Sequence, residues 1–395
     1  MKNYWLYLNP ETFLWSDETS ILIYNSAEGL SHKFSRTKQL DQLTEQFKDL
    51  SNLYCIEITE KELADPTTLQ FVDTIIESQS GNLTEALASV KKPIQLPPIL
   101  NLQCDRKKLK LNDSRSIGEN VVSYLNQVDI YLNSSTIVEK GSDYIPAVNE
   151  LLQSVPEKFY IDYNIIIESS ISPTVLGHLI KQLESIKREK TIHLHYHELE
   201  NLNSLIFNAF PNDLQLKILV KSPIEYNLLE KIHKQVEKAQ IRTIWNFVIQ
   251  SEQEYEQAVL FINTNRIEDY ELSPTYNGNN ISFFEENIYL TEDDLKSPAL
   301  NKREIFAHQA INTNNFGKLI LRPNRKIYTG IHSKPVGELG NSLKEVLIQV
   351  MQTESSWFKI RNMEPCNNCV YQWLCPSPSD YEIAINKPNL CHIKN

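Results

Sequence analysis

Apolar residues gather in three short strand-like runs at the start of the chain, Tyr4–Leu8, Thr12–Trp15 and Ser20–Asn25, separated by the turn-forming polar groups NPE and SDE. Short apolar runs bounded by turn residues predict three strands in an antiparallel meander. A helical period follows. Leu40, Leu43, Phe47 and Leu50 recur at helical spacing in TKQLDQLTEQFKDL, and Leu69, Val72 and Ile75 share one face of a second helix.

Two helices beside a small sheet make a winged-helix-like domain over residues 1–90, a size within the usual domain range. The weakly patterned run ESQSGNLTEALASVKKPIQLPP, ending in Pro97 and Pro98, reads as a linker. Beyond it, strand-like runs begin at Ile99, Val128, Phe159, Thr191, Leu214 and Arg242, with YELSP at Tyr270 as a possible seventh. Helical patterns lie between them, among them Val175, Leu176, Leu179, Ile180, Leu183 and Ile186, and Leu228, Leu229, Ile232 and Val236. Strands alternating with helices predict right-handed βαβ units and a parallel sheet. Six or seven such units fall short of the eight that close a barrel. The expected fold class is therefore α/β, with an open partial (β/α)6-type barrel over 95–300 and a cysteine-rich segment over 301–395. In that last segment KLILRPNRKIYTG reads as a hairpin, and NSLKEVLIQVM as a helix opened by a Ser342/Glu345 capping box.

Charge narrows the partners. A formal charge of -11 disfavours nucleic acid, whose binding releases counterions from a basic face. The N-terminus lacks a signal-peptide pattern, and no run approaches the roughly 18 apolar residues of a membrane span, so a cytoplasmic protein is expected. Only 10 glycines occur, no two of them adjacent, which counts against phosphate-cradling loops; no GxGxxG or GxxxxGK[ST] is present.

Candidate chemistry concentrates near the C-terminus. Cys366, Cys369, Cys375 and Cys391 follow the spacing C-x2-C-x5-C-x15-C, so a tight turn and two nearby loops can bring four thiolates to one metal. Four thiolates suit zinc or an iron-sulfur cluster, and spacing does not choose between them. His392 stands beside the last cysteine as an alternative ligand. A second candidate is the strand TIHLHYH, which would put His193, His195 and His197 on one side, the outer two about 13 Å apart, so that an HxH pair could share a metal or the three could line a lumen.

The cysteine spacing resembles the SPASM domain of radical SAM peptide maturases, whose pattern supplies two auxiliary 4Fe-4S clusters. The resemblance assigns the second cluster to Cys366, Cys369, Cys375 and Cys391, and puts Ser379 and Gly330 where cysteines of the first would stand. The CxxxCxxC motif expected after the first barrel strand is reduced to Cys104, with Lys108 and Leu111 in the other two places; the GGE motif expected after VDIYLNSS is absent. The chain thus resembles the pseudo-radical-SAM proteins of Bacteroidetes-type peptide maturation systems (ribosomally made, post-translationally modified peptides, RiPPs). That resemblance implies one 4Fe-4S cluster, with zinc as the alternative, and no S-adenosylmethionine. It also implies two partners, an active radical SAM/SPASM maturase and a precursor peptide. The N-terminal segment is similar to a RiPP recognition element, which would bind a leader peptide as an added strand at Ser20–Asn25, with Ile21, Ile23, Phe71 and Ile75 forming edge and groove. Two further readings stay open: electron transfer through the remaining cluster, and a metal-dependent enzyme built on His193, His195 and His197.

Overall fold

The computed structural model describes residues 2–99, 121–133, 136, 143–156, 158–168, 170, 172–184, 188–200, 210–211, 213–387 and 389–393. The expected strand beyond Ile99, and with it Cys104, Lys108 and Leu111, lies outside them.

The first strands form where the apolar runs between turn groups predict, but pair differently. β1 (Asn3–Leu8) stands between β5 (Cys55–Thr59) and β6 (Gly81–Glu85) in one antiparallel sheet. A second sheet has the order β2 (Thr12–Ser16), β3 (Ser20–Asn25), β4 (Leu30–Ser35). The meander therefore exists, shifted by one strand, and part of the expected linker is β6. The helices Lys38–Lys48 and Pro66–Glu77 cover both sheets, held at their N-termini by the side chains of Thr37 and Asp65. Leu40, Leu43, Phe47, Phe71, Val72 and Ile75 pack there against Leu6, Leu8, Ile21, Ile23 and Ile58. Leu50 and Leu69, expected on those buried faces, are 58% and 45% exposed: the first helix has already ended, and the second presents Thr68 and Phe71 inward instead.

β3 is buried at every residue, because its two faces serve two cores. Ile21 and Ile23 point to the helices, whereas Leu22 and Tyr24, with Phe13 of β2, join Leu295, Ile305, Val370, Tyr371 and Leu374 from the C-terminal part of the chain. Tyr24 Oη donates to Leu300 O at 2.7 Å, and Lys33 on β4 pairs with Glu292 at 3.1 Å.

The main body is a mixed α/β layer. Among the described residues its sheet has nine strands, in the order β12 (Tyr270–Pro274), β11 (Thr243–Ile249), β10 (Leu214–Val220), β9 (Lys190–His195), β8 (Asp162–Ile167), β7 (Gln127–Leu132), β13 (Lys318–Leu321), β14 (Lys326–Tyr328), β15 (Gly337–Glu338). From β7 to β12 each strand lies parallel beside the next in chain order. A right-handed crossover repeated in one direction keeps its helices on one face. Helices Tyr144–Gln153, Pro173–Leu183, Tyr226–Lys238 and Glu252–Asn265 accordingly pack on Val128, Ile165, Leu194, Ile218 and Phe247 in one core. The expected C-terminal hairpin is β13 and β14, and β13 also extends the parallel sheet beside β7. No described helix is long and apolar enough to cross a membrane.

Candidate functional site

The cysteine-rich segment is built around what lies between its cysteines. Cys366 opens a short 3-10 turn, and Val370, Tyr371 and Leu374 of the intervening VYQWL are buried against β2 and β3. Cys369 and Cys375, at either end of this run, pack partly buried against the same apolar cluster. Cys375 is further held by its amide bond to Tyr371 O at 2.9 Å. Cys391 returns through an isolated bridge to Leu290, with Leu290 N donating to Leu390 O and His392 N to Leu290 O. All four thiols thereby line one cavity of about 20 Å³, together with Arg361, Tyr371 and Asn389. A space of that size holds roughly one water-sized occupant.

This donor set fits a four-thiolate metal centre. Among the described residues no three ligating side chains converge as a single ion requires, so binding a metal entails rotation of these side chains. The electrostatics act in the same direction. Burial pushes the Cys375 thiol up to about 12, and burial raises that of Cys366, with the Arg361 guanidinium opposing both shifts. Thiolates here need positive charge close by, and a metal ion supplies it. His392 does not turn to the cavity: its Nε2 donates to Glu285 O at 2.8 Å.

Arg361 and Glu382 are the residues that the spacing of cysteines did not reveal. Arg361 is 6% exposed; its guanidinium donates to Pro376 O, meets Glu382 Oε1 at 2.7 Å and reaches Cys366 Sγ at 3.8 Å. Glu382 also accepts from the Ser379 backbone at 2.6 Å, in the capping box of the helix Asp380–Ile385. The S-x-x-E signature of that cap was legible; its second duty, neutralising Arg361, was not.

Ser379 and Gly330, the two positions set against lost cysteines, have their own work. Ser379 caps a helix, and a Cβ at Gly330 would lie 2.6 Å from Ser356 Oγ. A side chain at 330 would require Ser356 to move.

The histidines separate. His193 and His195 lie on the same face of β9, away from the helices, but the strand ends there and His197 belongs to the following 3-10 turn. The expectation of three histidines along one strand is corrected accordingly. His195 and His197 stack with ring centroids 5.0 Å apart. His193 instead joins a polar network on the sheet's helix-free face: its Nε2 is 3.3 Å from Asn164 Oδ1, Asn164 Nδ2 donates to Asp129 at 2.9 Å, and Lys318 pairs with Asp129 at 2.9 Å. Burial, then the neighbouring Lys217, lowers the His193 imidazole to about 4 and keeps it neutral.

Of the residues assigned to peptide binding, Ile21, Ile23, Phe71 and Ile75 are all fully buried in the N-terminal core. Ser20–Asn25 is not an edge, since β3 is paired on both sides. In that sheet the outer strands among the described residues are β2 and β4, and Phe34 of β4 meets Phe71 edge-to-face at 5.2 Å.

No protein-family model and no curated protein matches the chain. Among solved structures, Streptococcus suis SuiB bound to S-adenosylmethionine is similar at 10% identity and a TM-score of 0.46 over 99% of both chains. The same protein bound to precursor peptide SuiA matches at 10% identity and 0.42 over 98% of both. anSMEcpe with bound AdoMet and the Cp18Cys peptide matches at 10% identity and 0.43, over 64% of this chain and 88% of that one.

Proposed function

We propose that the chain is a non-catalytic accessory protein of ribosomal peptide maturation, which binds a precursor's leader and pairs with an active radical SAM enzyme. The observation that carries this reading is a contrast within the sequence. The four-cysteine set Cys366, Cys369, Cys375 and Cys391 is complete and faces one cavity, while Cys104 alone remains of the triplet that would hold a catalytic cluster. The complete set would hold zinc or, with the thiols moved apart, one 4Fe-4S cluster, and its role in this reading is to keep VYQWL seated on the N-terminal sheet.

The leader-binding element supported by the geometry is β4 and not β3. β4 is an outer strand with Leu30, Lys33 and Ser35 exposed, and it lies beside the helix Pro66–Glu77 through Phe34 and Phe71. A peptide adding there gains main-chain hydrogen bonds along an existing sheet. The test is calorimetry of the full-length, metal-loaded protein with the leader of the precursor encoded beside it. Saturable one-to-one binding is expected; absence of binding by the protein and by its complex with the maturase would overturn the reading.

A further inference from the structure

In the cysteine-rich segment, two cavities of about 590 and 350 Å³ share Lys359, Ile360, Pro378, Ser379 and Ile383, and so form one continuous trough. One end lies under the turn after β14, at His332 and Lys334. The other reaches Met363, Cys366 and Lys387.

The walls are rigid where the chain segments meet. Asn312 is fully buried, and its Nδ2 donates to Lys359 O at 2.9 Å and to Pro378 O at 2.8 Å, stapling the two sides of the trough together. Ser377 Oγ accepts from the Thr313 amide at 3.0 Å beneath them. Within this frame Ser355 lines the larger cavity at 7% exposure, but its hydroxyl is turned inward, out of reach of the cavity, without a hydrogen-bond partner among the described residues. Lys334 and Lys359 are exposed at the same cavity, and neither has a carboxylate within ion-pair distance among the described residues. Asp380 and Glu354 also border it, so the trough is of mixed charge.

We infer that this trough is a second peptide-binding site, taking an extended polar segment that carries a carboxylate side chain. Hydroxyl and amide walls both donate and accept, as a peptide backbone requires; Phe358, Ile360 and Ile383 supply apolar contact, and Lys334 and Lys359 receive the acid. The inference rests on the proposed function only in taking a peptide as the ligand. Its site shares no residue with β4, so one precursor could occupy both, the leader on the sheet and a following segment in the trough.

The test is selection of a random heptapeptide phage library on the immobilised full-length protein, followed by anisotropy with the selected peptides. Two variants are compared: Lys334→Glu/Lys359→Glu and a proline variant of β4. Selected peptides are expected to carry an acidic residue and to lose at least tenfold in affinity on the double charge reversal, while the β4 variant binds them unchanged. Both lysines are exposed, so the fold is retained. The inference is overturned if no peptide is enriched, if the charge reversal leaves affinity unchanged, or if inorganic phosphate competes as well as the peptide. Loss of binding only in the β4 variant would overturn the trough and leave the proposed function standing. Failure of the unsubstituted protein to bind the leader, with the selected peptides still bound in the trough, would do the reverse.

Discussion

Two side chains show how single residues decide local properties. Arg361 is buried beside thiols and is neutralised by Glu382, also buried, so removing one partner leaves an uncompensated charge. Breaking such a pair costs about 3–5 kcal/mol. Arg361→Gln is therefore expected to lose about 3 kcal/mol in urea unfolding, and Arg361→Gln/Glu382→Gln to lose less than the sum of the single changes; strict additivity would refute the coupling. His193 governs a pH dependence. Its folded-state value is lowered from 6.5 to about 4, so between those limits the unfolded chain binds more protons and stability rises with pH. As pH falls from 6.5 to 4, about 2–3 kcal/mol should be lost through this residue, and His193→Gln should flatten that part of the stability profile. The proton-linked slope, read from urea midpoints across the window, checks it.

At the scale of elements, the strand that looked most like a docking edge is the best protected. SILIYN is apolar at almost every position because β3 is covered on both faces, and an apolar run without alternation is the mark of such a strand. The neighbouring LSHKFS, more polar and half exposed, is the outer strand. Successive residues of an outer strand point their N–H groups in opposite directions. Of Ser31→Pro and His32→Pro, one therefore breaks the ladder to β3 and unfolds the sheet, while the other removes only an outward donor and is tolerated. The tolerated variant should keep its melting curve and lose leader affinity about tenfold. Retention of full affinity by the tolerated variant would exclude β4 as the augmenting edge.

At the scale of the whole molecule, the sheet of β2, β3 and β4 and the cysteine-rich segment share one core, so a metal held by the proposed four-cysteine site would stabilise residues far away in sequence. Stripping the metal should raise amide exchange in β2, β3 and β4 as well as in 366–391, because Val370, Tyr371 and Leu374 lose the frame that seats them. The amides of β8 to β11, in a separate core, should exchange as before. Iron and sulfide analysis of the same sample identifies the group removed, and an unchanged N-terminal sheet would refute the coupling.

What the sequence determined by itself were the features set by local period and covalent spacing. The strands β7 to β12 and their helices follow from alternation and 3.6-residue repeats, and the gathering of four cysteines follows from C-x2-C-x5-C-x15-C. Tertiary structure decided the partners. β1 leaves the meander for β5 and β6, β4 replaces β3 at the edge, the hairpin β13–β14 extends the main sheet, and Glu382 meets Arg361. A strand's alternation states that it has a buried face without stating what covers it, and a charged residue does not encode its distant counterpart. Those choices depend on which surfaces close together once the whole chain has packed, a long-range condition that no short stretch of sequence contains.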